Sequence, residues 1–153
     1  ASNLTEIISN AEPDIVVNFG SCGNLKNYKV GQVLEVGEVI NDFDTHGLSE
    51  NPIIRLSNTD VKCFTTDIIY NNTHQRYSDS YNQSIKDCTI VDMECYALAH
   101  VCKQRDILFY SFKWVSDDGE PDSWEKNAKI GFENFKEVFI NTFLGEDHQF
   151  KED

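Results

Sequence analysis

The run Ile107-Leu108-Phe109-Tyr110-Ser111-Phe112-Lys113-Trp114-Val115 constrains the fold more than any other part of the chain. Its aromatic and β-branched residues favour a strand. Its apolarity is nearly continuous rather than alternating, which predicts burial on both faces, as in a sheet covered on each side by helices. It is also far shorter than the roughly 18 residues needed to cross a bilayer as a helix. The strand ends at Ser116-Asp117-Asp118-Gly119. A final helix follows, capped by Asp122 or Ser123, with Asp122 and Glu125 at capping-box spacing. Its apolar positions are Trp124, Ala128, Phe132, Phe135 and Phe139.

The remaining pattern supplies the other layers. Residues 3–11 predict a helix with Leu4, Ile7, Ile8 and Ala11 on one face and Pro13 past its end. Asp14 to Phe19 predicts a short buried strand that runs into a turn, Gly20-Ser21-Cys22-Gly23-Asn24, where backbone amides are able to approach a ligand closely. By itself such a pair of glycines also fits an ordinary tight turn. Val30 to Ile40, bent at Gly31 and Gly37, predicts a further strand, as do Pro52 to Ser57 and Val61 to Tyr70. The loop from Asn41 to Gly47 holds Asp42, Asp44 and His46, read as solvated rather than metal-binding. Residues 71–87 are polar and predict a surface connection, and the charged tail from Gly145 to Asp153 predicts fraying. Val91 to Cys102 predicts a helix, with Met93, Ala97, Leu98, Val101 and Cys102 at helical spacing and two carboxylates, Asp92 and Glu94, in its first turn. Acidic residues complement a helix N-terminus, so a purely structural role for both is the alternative reading.

Helix, strands, helix, strand, helix is the order of an α/β three-layer sandwich with a central mixed sheet. Residues 1–153 read as one domain. Ligands in such sheets sit at the carboxyl ends of strands. The glycine segment, Ser116-Asp117 and Glu94 are each placed to meet a polar ligand along one sheet edge.

Charge and cysteine content narrow the partners. The 26 acidic against 13 basic residues give a net charge of −13, which argues against nucleic acid and against an anionic membrane surface. The five cysteines, Cys22, Cys63, Cys88, Cys95 and Cys102, are odd in number and form no CxxC pair. Buried free thiols in a cytoplasmic protein are expected, with no disulfide framework, metal site or cofactor.

Three segments resemble the nucleoside phosphorylase/nucleosidase superfamily, in particular its methylthioadenosine/S-adenosylhomocysteine nucleosidases. Pro13 to Gly23 is similar to the family's strand and glycine turn, Val91-Asp92-Met93-Glu94 to its Met-Glu signature, and Val115-Ser116-Asp117 to its Ser-Asp signature. The resemblance implies a nucleoside phosphorylase-like fold and cleavage of the N-glycosidic bond of a purine nucleoside. It implies that Glu94 holds the ribose hydroxyls, that Met93 packs on the sugar, and that Gly20 and Ser21 line the site. Asp117 is then the acid at purine N7, oriented by Ser116, while Ile69 and Tyr70 line the base pocket. Ile69 stands where relatives often have phenylalanine, and Lys113 where nucleosidases commonly have arginine.

The chemistry is coherent on its own terms. A purine leaves well only when protonated, and a positioned acid contributes about 10²–10⁴ in rate. The apolar strand ahead of Asp117 favours a neutral carboxylic acid there. Two departures from the family pattern matter. Phosphorylases often carry arginine just before the glycine turn, whereas this chain has Asn18 and no lysine or arginine before Lys26. Hydrolysis is therefore expected, with Arg55 or Arg76 as the residues that a phosphate-using relative would bring in. The family also begins with roughly one more βαβ unit, ~30 residues or more, which carries a water-activating glutamate. The expectation is that this sequence is part of a longer protein, the alternative being a shortened relative that lacks its usual base. For the function, the alternatives are a phosphorylase and an inactive nucleoside-binding relative. The resemblance implies a homodimer or higher homo-oligomer.

Overall fold

A computed structural model describes residues 2–42, 53–66, 85–116 and 121–144. Seven strands form one mixed sheet: β1 (Ile15–Asn24), β2 (Val33–Glu35), β3 (Glu38–Asn41), β4 (Ile53–Arg55), β5 (Lys62–Thr65), β6 (Ile90–Asp92) and β7 (Leu108–Val115). The helices are α1 (Ser2–Ala11), α2 (Cys95–Gln104) and α3 (Pro121–Phe139), the last continuing into a π-helical turn, Ile140–Leu144. The sheet order is β2-β7-β1-β6-β5-β3-β4. β7 pairs in parallel with β1, and β5 in parallel with β3 and β6; the remaining pairings are antiparallel. Among the described residues no helix is long and apolar enough to cross a membrane.

The long apolar strand is β7, and it is covered on both faces as its composition requires. Successive side chains alternate between faces. Tyr110 and Phe112 meet Phe143 and Phe135 of the last helical layer, and Trp114 lies against Gly131 of α3. Phe109 and Val115 join the other core, with Ala99 and Cys102 of α2 and Ile8 of α1. The register Phe19↔Phe112 and Asn18↔Ser111 carries the same division onto β1. Phe19 stacks on Phe135 with centroids 4.2 Å apart, whereas Asn18 accepts a hydrogen bond from Ser111 Oγ at 2.9 Å. The three-layer sandwich with a mixed sheet is thus as expected.

Several expectations are corrected. The glycine segment is not a turn: β1 continues through Gly20-Ser21-Cys22-Gly23-Asn24, paired with β7 and then with β6. The glycines are needed for room, since a Cβ on Gly23 would lie 2.7 Å from Val91 Cγ1. Val91 and Asp92 are strand, not helix; β6 is held between β5 and β1, and α2 begins only at Cys95. The predicted strand from Val30 to Ile40 is two, parted at Val36 and Gly37. Asp42 is buried rather than solvated and accepts from Thr66 Oγ1 at 3.2 Å. Helix α3 starts at Pro121, a residue suited to a first helical position, so the expected caps Asp122 and Ser123 lie inside the helix. Ile7 and Phe132 are exposed although they fit the apolar stripes. Asp44, His46 and residues 67–84 and 145–153 lie outside the described residues.

Candidate active site

A cleft of about 360 Å³ opens where β1, β7 and the start of α2 meet, lined by Asn18, Phe19, Gly20, Met93, Glu94, Ala97, Leu98 and Lys113. It lies on the α2 side of the sheet. The register places Lys113 beside Gly20, and a Cβ on Gly20 would come within 3.1 Å of Lys113 Nζ. Glycine at position 20 therefore leaves the ammonium room to reach the cleft.

Lys113 is buried, with 1% of its side chain exposed. A buried ammonium is strongly disfavoured unless paired and hydrogen bonded. Asp92 meets that need: its Oδ2 lies 3.0 Å from Lys113 Nζ. Burial pulls the lysine down, but the charge and hydrogen bond of Asp92, with Cys95 and Cys63 nearby, leave it above its ordinary value. Glu94 Oε2 lies farther off, 3.9 Å from the same nitrogen, on a side chain 65% exposed.

The two carboxylates divide the helix start between them. Asp92 Oδ2 accepts from the backbone N–H of Cys95 at 2.7 Å and of Glu94 at 3.3 Å, satisfying donors that an N-terminus leaves open. Glu94 stands at the N-cap position yet makes no side-chain capping bond. The structural reading of the acidic helix start thus applies to Asp92. The carboxylate of Glu94 is left at the mouth of the cleft beside Met93, which is itself 46% exposed.

Behind the cleft, Cys63 Sγ, Cys95 Sγ and an Asp92 carboxylate oxygen lie within 4.8 Å of one another, a spacing a metal ion could bridge. The donor set does not fit one. Asp92 already holds an ammonium, and Cys63 Sγ donates to its Oδ1 at 3.3 Å. Burial, followed by the hydrogen bond with Cys95 and the charge of Asp92, pushes the Cys63 thiol well up, whereas a metal needs the thiolate.

Of the residues singled out from sequence, Gly20, Met93 and Glu94 come together in the cleft. Ser21 sits in register with Trp114, on the α3 side by strand alternation, and does not line it. Ser116 donates from both its hydroxyl and its backbone N–H to Cys22 O, each at 3.1 Å, tying the end of β7 to β1. Asp117, Ile69 and Tyr70 lie outside the described residues, as does Arg76. Arg55 is on β4 at the far edge of the sheet, engaged with Glu38 and Thr59 O. Sequence reasoning missed the pairing of Asp92 with Lys113. The signal was present: a lone lysine inside a doubly buried strand requires a carboxylate partner.

The family model of the phosphorylase superfamily matches residues 48–144. No curated protein matches the sequence. Among solved structures, the methylthioadenosine/S-adenosylhomocysteine nucleosidase of Colwellia psychrerythraea, in complex with adenine, is 20% identical at a TM-score of 0.69, over 92% of this chain and 70% of that one. The Helicobacter pylori nucleosidase with butyl-thio-DADMe-Immucillin-A is 14% identical at 0.68, over 90% and 73%. The methylthioadenosine nucleosidase of Arabidopsis thaliana is 22% identical at 0.58, over 86% and 59%. The chain thus spans about two thirds of the length of such relatives, and at these identities the likeness bears on the fold. With the family model covering more than half of the sequence, the chain belongs to the phosphorylase superfamily.

Proposed function

We propose that this domain binds a purine nucleoside, such as methylthioadenosine or S-adenosylhomocysteine, and hydrolyses its N-glycosidic bond. The observation that carries the reading is the cleft in which an exposed carboxylate, Glu94, stands beside the exposed thioether of Met93 and the glycine of a parallel strand. A carboxylate at a cleft mouth suits the paired hydroxyls of a ribose, which donate to it, and Met93 suits the apolar edge of the sugar. The solved structures with adenine or an immucillin bound support the ligand class at the level of the fold. In this reading water attacks the anomeric carbon, the carbon–nitrogen bond breaks toward the base, and Asp117, with Ser116 beside it, delivers a proton to purine N7; the proton that the water gives up passes to solvent, from which the Asp117 carboxylate is reprotonated.

Hydrolysis is favoured over phosphorolysis by the charge in the cleft. One ammonium, Lys113, faces two carboxylates, Asp92 and Glu94. A phosphate dianion would meet that net negative charge with little compensation. The phosphorolytic alternative rests on a specific observation, that Lys113 brings a cation to Gly20 despite the lack of lysine or arginine before Lys26.

The test is a panel of purine nucleosides incubated with and without phosphate, with products identified by NMR. Free base and free sugar at a phosphate-independent rate are expected, and Asp117→Asn should lower turnover about 10²–10⁴-fold while ligand binding persists. Sugar 1-phosphate as product would establish the phosphorylase instead. Binding without cleavage would identify an inactive relative.

A further inference from the structure

The carboxylate of Asp92 is engaged by five partners. Its Oδ1 accepts from Thr65 Oγ1 at 2.6 Å and Cys63 Sγ at 3.3 Å; its Oδ2 takes the two backbone N–H groups at the start of α2 and the ammonium of Lys113. Thr65 Oγ1 in turn accepts from Tyr96 N at 3.1 Å, so the same cluster secures the first turn of α2 twice. Asp92 thereby touches β5, α2 and β7 at once, from the end of β6.

We propose that Asp92 is a positioning residue: it holds the Lys113 ammonium against Gly20 and fixes the first turn of α2, so that Glu94 faces the cleft instead of folding onto the lysine. The distances carry the argument. Lys113 has two carboxylates within reach, at 3.0 Å and 3.9 Å. The nearer one is buried and held by four other donors, so it does not follow a ligand. The farther one is exposed, so it is able to turn to a ligand while the ammonium stays neutralised. Without the charge of Asp92, Lys113 has two outcomes. It draws Glu94 inward, or it gives up its proton. The groups facing Lys113 are Asp92, Glu94 and Cys95 from the β6–α2 junction, Cys63 from β5 and Cys22 from β1. Burial pushes the thiols of Cys22 and Cys63 up, so neither replaces the lost charge at neutral pH, whereas the Glu94 carboxylate is within reach.

The inference rests on the nucleoside reading for what Glu94 meets, and the test separates the two. Wild-type chain, Asp92→Asn and Asp92→Glu are compared by kcat and KM on methylthioadenosine from pH 6 to 10, and the Lys113 side chain is followed by carbon-13 NMR of its Cε. Asp92→Asn is expected to lower kcat/KM about 10²-fold, with activity falling more steeply above pH 7 than in the wild type. Its Lys113 signal should titrate at a lower pH than in the wild type. Asp92→Glu, which keeps the charge, should recover most of the activity and the wild-type profile. An Asp92→Asn protein with reduced thermal stability but the wild-type pH profile per folded molecule would make Asp92 merely structural and overturn the proposal. If the wild-type chain cleaves no nucleoside, the functional reading fails on its own. The positioning role is then decided by NMR on Asp92→Asn and on Asp92→Asn combined with Glu94→Gln, which removes the replacement charge: a Lys113 titration lowered in either sustains it, and one unchanged in both overturns it.

Discussion

The two faces of β7 are built from the same strand and do different work. Toward α3, Tyr110 and Phe112 enter an aromatic layer in which Phe112 meets Phe135 and Phe143 edge-on, with centroids at 5.5 and 6.0 Å. Toward α2, Ser111 and Lys113 make a hydrogen bond to Asn18 and an ion pair with Asp92. One face is held by contact area, which is tolerant of exchange among residues of similar volume. The other packs as well, through Phe109 and Val115, but sets paired polar groups between them, each of which becomes a liability if its partner is removed. A doubly buried strand thus confines its polar chemistry to one face by alternation alone.

This contrast is open to direct attack. The largest effect is expected from Lys113→Met, which leaves the buried Asp92 carboxylate without its counter-charge. Breaking a buried pair in this way costs about 3–5 kcal/mol, read as a lowered urea midpoint, and the proposed activity should be lost with it. A stability loss below about 1 kcal/mol would mean that the pair behaves like an exposed one. On the opposite face, Phe112→Leu should cost about 2 kcal/mol through lost volume and lost ring contacts, with turnover per folded molecule unchanged. A matching fall in kcat would show that the two faces are coupled.

The smallest effect concerns a thiol on the α2 face. Burial pushes Cys22 up from 9.0 to about 12, against a smaller lowering by Lys113. Below pH 9 the thiol is protonated in both states and has no effect. Between pH 9 and 12 the unfolded chain releases this proton while the folded chain retains it, so stability falls as pH rises. At pH 10 the loss is about 1 kcal/mol for this one group. Cys22→Ala should flatten the decline in urea midpoint between pH 8 and 10. An unchanged decline would mean that Cys22 does not contribute to it.

Much of this architecture could be read from the residues. Ile107 to Val115 declared itself because continuous apolarity has few meanings, and α1 because its apolar positions recur every three to four residues. The failures share a physical cause: short elements whose identity is fixed by neighbours distant in sequence. Val91 and Asp92 read as the opening of the helix that follows them, yet pairing with the edges of β5 and β1 makes them strand. The glycines at 20 and 23 fit a turn, yet they serve the close approach of Lys113 and Val91. In the site, Glu94 and Met93 were visible as a polar-apolar pair at a helix start. The partnership of Asp92 with Lys113 was not, because which carboxylate meets a buried lysine depends on how β6 and β7 are set in the sheet. The absence of lysine or arginine before Lys26 was likewise a weak guide, since parallel pairing carries a cation to Gly20 from the far end of the chain.

The parallel pairing of β1 with β7 also has a consequence in time. Asn18 and Ser111 are 93 residues apart in sequence, and closing a loop of that length carries an entropic penalty of about 4 kcal/mol in its logarithmic part. Pairings of such range form late and slow the folding of the chains that depend on them. The cleft draws Asn18, Phe19 and Gly20 from one side of this loop and Lys113 from the other. On a ribosome, β1 lacks its parallel neighbour until synthesis has passed Val115, and the cleft cannot be assembled before that point.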